Sequence, residues 1–107
     1  MNWKIDYTDK AKKDLNDFKG YSRNQIMKAI QKVSTNPLPQ NEGGYGKPLG
    51  NHAKTKLTGF LKIKLLKLGI RVIYKLERIE EIMTVVVISI RDDSKCYEET
   101  HKRIKRG

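Results

Sequence analysis

The chain has 107 residues, 37% of them hydrophobic and 33% charged, with a formal net charge of +11. That length allows one domain, residues 1–107, with a modest core and no room for a second. The longest apolar run, Val85 to Ile88, is far too short to span a bilayer. No basic-then-apolar leader opens the sequence, so no secretory signal is expected. Cys96 is alone, which excludes an internal disulfide and a cysteine cluster for zinc, and a cytoplasmic setting is expected.

The charge is unevenly spread. Residues 1–42 carry eight Lys/Arg and five acids, a net of +3. Residues 43–76 carry eight Lys/Arg and no acid, a net of +8. Residues 77–107 carry seven of each and balance. Such a field attracts polyanions, whether nucleic acid, ribosome or anionic lipid, although a basic surface also serves solubility.

In chain order, "WKIDY" (3–7) alternates with Trp3, Ile5 and Tyr7 on one face, the pattern of a strand. A helix follows, with Thr8 as N-cap, Ala11, Leu15 and Phe18 as its apolar stripe and Gly20 as its stop. A second helix starts on Ser22, carries Ile26, Ala29, Ile30 and Val33 on one face, and ends before Pro37. The short link between them predicts an antiparallel helical hairpin. "LPQNEGGYGKPLGNHAKTK" (38–56) has no periodicity and reads as a surface connection. Its glycines around Tyr45 are not a phosphate loop, because no strand precedes them and no Gly-Lys-Ser/Thr follows.

From Leu57 the period becomes two. Leu61, Ile63 and Leu65 face one way and Lys62 and Lys64 the other. Gly69 supplies a tight turn, and Ile70, Val72 and Tyr74 then alternate with Arg71 and Ile73. After a turn near Glu80 and Glu81, "IMTVVVISI" (82–90) reads as a central strand. The tail from Asp93 or Ser94 reads as a last helix with basic residues at its end. The order β-α-α-β-β-β-α predicts an α+β fold. Its helical hairpin packs on one face of an antiparallel sheet, and the other face is left open.

That open face gathers chemistry. Lys62 and Lys64 share it, Arg71 lies on the adjacent strand, Arg91 ends the next one, and Tyr97 begins the last helix. Cations bind RNA phosphate and an aromatic ring stacks an unpaired base. Attack by a 2′-OH on its own phosphodiester also needs a proton acceptor, compensation of the phosphorane charge and support for the 5′ leaving oxygen. His52 and His101 are badly placed to act as a pair. A lysine can take the acceptor role where like charges crowd it, as Lys62, Lys64 and Arg71 do. The scheme calls for no cofactor and no metal. Alternating lysines on an amphipathic strand are also ordinary solvated residues, Tyr97 on a helix reads as a packing residue, and Cys96 reads as a small buried one. Lys54, Lys56 and Lys67 of the basic segment, with Lys102 and Arg103 of the tail, are further candidate RNA-binding cations.

Two blocks together, "LTGFLKIKLLKLGIRVIYKL" (57–76) and "VVVISIRDDSKCYEETHKRI" (85–104), with "KPLG" (47–50) ahead of them, resemble the RelE-like toxins of the RelE/ParE toxin–antitoxin superfamily. The shared pattern is a strand with alternating basic residues, Gly-x-Arg followed by apolar residues and Tyr, then a Val/Ile-rich strand, a basic residue and Ser-x-x-Tyr. The order of elements extends the resemblance over essentially the whole chain. It implies a microbial-RNase-like α+β fold and an endoribonuclease, an mRNA interferase, that enters the A site of the 70S ribosome and cuts the mRNA there. Cleavage by the 2′-OH leaves a 2′,3′-cyclic phosphate and a 5′-OH. By position, Lys64 matches the general base, Lys62 and Arg71 the charge-stabilising cations, Arg91 the residue at the leaving oxygen, and Tyr97 the ring that stacks on the mRNA base. The resemblance also implies a cognate antitoxin, acidic or amphipathic, that covers the basic face, and operator DNA bound only through the toxin–antitoxin complex. No membrane partner is expected. Asp92 and Asp93 after Arg91, and Phe60–Leu61 before the lysine pair, depart from the pattern and bear on codon preference. Two other readings fit the same chain: a ParE-like gyrase inhibitor, and a non-enzymatic basic nucleic-acid-binding module.

Overall fold

The structure, a computed structural model, describes residues 2–52, 55–90 and 93–106, with side chains described outside 50–58, 91–95 and 105–107. Strand β1 (Lys4–Tyr7) leads into helix α1 (Asp9–Asp17) and helix α2 (Gly20–Ser34). A 3-10 turn at Gln40–Glu42 precedes β2 (Lys47–His52). Strands β3 (Thr55–Leu65), β4 (Ile70–Glu77) and β5 (Ile82–Ser89) follow, and α3 (Asp93–Arg106) ends the chain. The five strands form one sheet in the order β1-β5-β4-β3-β2. The expected order of elements holds, with one strand added.

That strand is the main departure from the sequence. β2 lies in the stretch that reads as a connection, and it pairs antiparallel with β3, Lys47 opposite Lys62 and His52 opposite Thr55. Pro and Gly hide it, because a proline at Pro48 is tolerated in an edge strand that needs few donors. A register shift between Pro48 and Gly50 further masks its period. The sheet is also not wholly antiparallel. β1 pairs with β5 in parallel, since no hairpin ties the direction of these two distant strands.

The helix ends follow capping chemistry. The Ala11 amide donates to the Thr8 hydroxyl at 3.1 Å, so Thr8 caps α1 as its sequence suggests. Gly20 does not stop α1. α1 ends at Asp17, and Gly20, at φ +57°, is the first residue of α2, two residues ahead of the expected Ser22 start. With so few residues between the helices, the chain reverses through a backbone conformation that glycine adopts without penalty.

Two cores lie on opposite faces of the sheet. The larger joins Ala11 and Leu15 of α1 and Ile26, Ile30 and Val33 of α2 to Leu61, Val72, Tyr74, Met83 and Val85. The Tyr74 hydroxyl within it donates to the Pro37 carbonyl at 2.8 Å, and burial pushes its ionisation up. A Cβ at Gly46 would collide with that hydroxyl and with Leu61, so the chain before β2 can approach only as glycine. The smaller core joins Leu49, Ile73, Val86 and Val87 to Cys96 and Tyr97 of α3. The face expected to be open is therefore partly covered. Cys96, Tyr97 and Thr100 make one buried stripe on α3, and a helix with such a stripe must bury it against something.

A bulge in β5 serves both cores. Ile73 pairs with Val87 but Tyr74 pairs with Val85, so Val86 has no partner on β4. Val86 and Val87 consequently both face α3, while Val85 and Ile88 face the helical hairpin.

Candidate nucleic-acid interface

The ladder registers build the site. On β3, Leu61 is buried among the helical hairpin's residues with Ile63 and Leu65 packed beside it, so Lys62 and Lys64 point to the α3 side. Lys62 stands between Lys47 of β2 and Ile73 of β4. Lys64 stands opposite Arg71, which in turn stands opposite Ser89 of β5. Directly opposed residues share a face, with Cβ atoms about 4.5–5.5 Å apart. Four cations, Lys47, Lys62, Lys64 and Arg71, thus occupy two neighbouring rows of one sheet face.

Lys47 and Ser89 are absent from the sequence-derived set. Lys47 is hidden because 47–52 reads as a connection, so no period assigns it a face. Ser89 had a legible signal. It is the hydroxyl residue that closes an aliphatic strand, at the position that alternation from Val87 directs to the α3 side.

Lys62 is buried, 6% exposed, and its ammonium donates to the Tyr97 hydroxyl at 2.6 Å. Tyr97 is itself only 4% exposed. The nitrogen lies 5.2 Å from the ring centroid. With the hydroxyl oxygen at half that distance, the ammonium stands beyond the phenol oxygen and not over the ring. The contact is a short charge-assisted hydrogen bond, not a cation–π stack. Lys62 does not stand in solvent like an ordinary strand lysine, and the Tyr97 ring packs in a core, as its place on a helix leads one to expect. The cause is the apolar stripe of α3, which brings Tyr97 down onto the sheet. Lys64 is exposed and Arg71 half-buried.

The remaining candidates divide. Arg91 and Lys54 lie outside the described residues, as does the side chain of Lys56. Lys67 is exposed in the β3–β4 turn and lines a groove against α2 instead of joining the two rows. Lys102 is exposed on α3. Arg103, expected as an RNA-binding cation, is committed inside the protein, with 12% of its side chain exposed. Its Nη1 and Nη2 donate to Asp14 at 2.8 and 3.2 Å, its Nε donates to Glu99 at 2.8 Å, and Nη1 also donates to the Val86 carbonyl. Asp14 in turn accepts from the Ile88 amide at 3.0 Å. The reason is local. β1 pairs with β5 only as far as Val85, so the β5 edge beyond it carries backbone groups that Asp14 and Arg103 satisfy. Burial works against the Arg103 charge, but its bonds to Asp14 and Glu99 hold it more firmly protonated. Desolvation raises Glu99, and the bond and field of Arg103, with Lys102 and Lys10, outweigh it and hold the carboxyl below its ordinary range.

No protein-family model matches the sequence, and no curated protein matches it. Solved structures do match the fold. A double mutant of E. coli toxin RelE in the free state superposes with a TM-score of 0.72 at 22% identity, over 97% of this chain and 99% of that one. The chain has the fold of the RelE toxins. The isolated E. coli RelE toxin gives a TM-score of 0.65 at 22% identity, covering 95% of this chain and 98% of RelE. The M. tuberculosis RelBE2 toxin–antitoxin complex contains a chain that matches with a TM-score of 0.56 at 18% identity, covering 85% and 100%. The RelE-like architecture implied by the two sequence blocks is therefore present along nearly the full chain.

Proposed function

We propose that this protein is the toxin of a type II toxin–antitoxin pair and an mRNA interferase that cuts mRNA in the ribosomal A site. The observation that carries the reading is the paired rows Lys47/Lys62 and Lys64/Arg71/Ser89 on one sheet face of a RelE fold.

The chemistry is transfer of the phosphodiester from the 5′-oxygen to the neighbouring 2′-oxygen. Lys64, exposed at the edge of the rows, acts from its neutral amine form and receives the 2′-OH proton as its oxygen attacks phosphorus. Arg71, opposite Lys64, and Lys62 compensate the charge that develops on the phosphorane oxygens. The P–O5′ bond breaks, with Arg91 supporting the leaving oxygen, which takes up a proton from water. The products are a 2′,3′-cyclic phosphate and a 5′-OH. In the conformation described, the Tyr97 hydroxyl orients Lys62, and that is the role we assign it in the free protein.

The test is purified protein with programmed ribosomes and mapping of the mRNA ends. Wild type is expected to cut in the A site, and Lys64→Ala and Arg91→Ala to lower the cleavage rate about 10²–10⁴-fold. Intact mRNA with gyrase-dependent DNA breaks would instead identify a ParE-like gyrase inhibitor. Binding to RNA with neither effect would identify a non-enzymatic module.

A further inference from the structure

The nuclease chemistry uses Lys64, Arg71 and Lys62 but gives no task to Lys47, the cation that the β2–β3 pairing adds to the rows. Lys47 and Lys62 stand opposite each other, yet their ammonium groups differ in reach. Lys62 is 6% exposed and donates to the Tyr97 hydroxyl, whereas Lys47 is exposed. An anion arriving from solvent at this row therefore meets Lys47 first.

Lys47 is also fixed in place. The amide of Gly46, just before it, donates to the Leu38 carbonyl at 3.0 Å, and the Gly46 carbonyl accepts from the Gln40 amide at 2.7 Å. Gly46 lies so close to Tyr74 and Leu61 that no side chain fits there. Two residues on, Leu49 is buried in one cluster with Ile73, Val86 and Tyr97. The backbone that carries Lys47 is thus pinned on both sides, while its side chain stands in solvent. A charge held on such a strand loses less freedom on binding than one on a loop.

The spacing names the ligand. Lys47 is the diagonal neighbour of Lys64, and such pairs lie about 7–8 Å apart across a sheet. Arg71 stands directly opposite Lys64. The sheet face therefore offers two cationic points, one at Lys64 and Arg71 and one at Lys47. Their separation is comparable to that of successive phosphates along an extended single strand. The segment 43–76, which carries both points, contains no acid. We propose that Lys47 binds the RNA phosphate next to the scissile one, on the β2 side of the site, and so sets the register of the strand over Lys64 and Arg71. The inference rests on the nuclease reading, which supplies the ligand. No charge develops on that neighbouring phosphate during cleavage, so the contact is equal in ground state and transition state. It acts on affinity and not on the chemical step.

The test compares full-length wild type, Lys47→Ala, Lys47→Arg and Lys28→Ala on programmed ribosomes. Lys28, exposed on α2, controls for the loss of one charge elsewhere. Both positions are exposed, so all variants are expected to melt with wild type. Lys47→Ala is expected to raise the half-saturating concentration about threefold to tenfold at an unchanged maximal rate. Lys47→Arg should restore most of that loss, and Lys28→Ala should stay within about twofold of wild type. A second mRNA set carries one neutral methylphosphonate at either phosphate flanking the scissile one. One of the two is expected to weaken wild type by the same factor and to leave Lys47→Ala unchanged, because its partner is already gone. A lowered maximal rate with unchanged affinity would place Lys47 in the chemical step and overturn the proposal. Equal sensitivity of wild type and Lys47→Ala to both methylphosphonates would overturn it too, with the nuclease reading intact. If wild type cuts no mRNA, the nuclease reading fails. The contact is then read from binding to a single-stranded RNA oligonucleotide, where Lys47→Ala must reduce the salt slope by about 0.7. An unchanged slope there overturns it.

Discussion

An ammonium group buried without a partner costs several kcal/mol, and Lys62 avoids much of that cost through a 2.6 Å bond to the Tyr97 hydroxyl. The pair makes a prediction that separates structure from catalysis. Tyr97→Phe removes the acceptor while keeping the ring, and is expected to lower stability by about 1–3 kcal/mol in urea titrations. Lys62→Met with Tyr97→Phe replaces both partners by apolar groups of similar shape, and is expected to recover most of that loss. The double variant should nevertheless remain inactive on programmed ribosomes, because it restores packing and not the cation. Full activity in it would remove Lys62 from the mechanism. Lys62 and Lys64 are thus unlike despite their identical spacing. The alternation that puts both on one face is plain in "KIK", but α3, which lies over Lys62, comes from a segment about thirty residues later.

At the scale of elements, α3 is held to the sheet by its buried stripe and by one ion-pair cluster. Arg103 ties α3 to Asp14 of α1 and to the Val86 carbonyl on the β5 edge beyond its pairing with β1. Arg103→Met is expected to destabilise by about 2–4 kcal/mol, because it strands a half-buried carboxylate and a backbone acceptor together. The cluster also predicts a pH dependence. Glu99 titrates lower in the folded chain than its ordinary value of 4.5. Its contribution is therefore present above that value and is lost as pH falls through the lower, folded one. Unfolding midpoints followed from roughly pH 6 down to pH 3 should fall more steeply for wild type than for Arg103→Met, which has no such pair to lose. Equal slopes would show that Glu99 gains nothing from Arg103. From the sequence, Arg103 is one of several basic tail residues. Nothing local distinguishes it from Lys102, since its partners lie on α1 and β5.

For the whole molecule, the net charge of +11 and the acid-free segment 43–76 set long-range behaviour. Association with ribosomes or single-stranded RNA is expected to weaken steeply with salt, with log K falling by about 0.7 per single-strand phosphate neutralised for each tenfold rise. Lys64→Ala should reduce that slope by about one phosphate's share. A salt-independent affinity would exclude phosphate contacts as the main attraction. Much of this architecture is local and so readable in one dimension. Period two marks the β3–β4–β5 meander, period 3.6 marks α1 and α2, and Thr8 marks a cap. What tertiary structure alone decided is long-range pairing. β2 became a strand because β3 offers it an edge, with Pro48 and Gly50 obscuring its pattern. Lys47 gained a place in the cation rows by that pairing, and Ser89 by its register with Arg71. Lys62 was buried and Arg103 withdrawn from solvent because α3 has its own apolar stripe to cover. The pattern of a segment states which face it must bury, whereas the surface that meets that face belongs to residues far away in sequence.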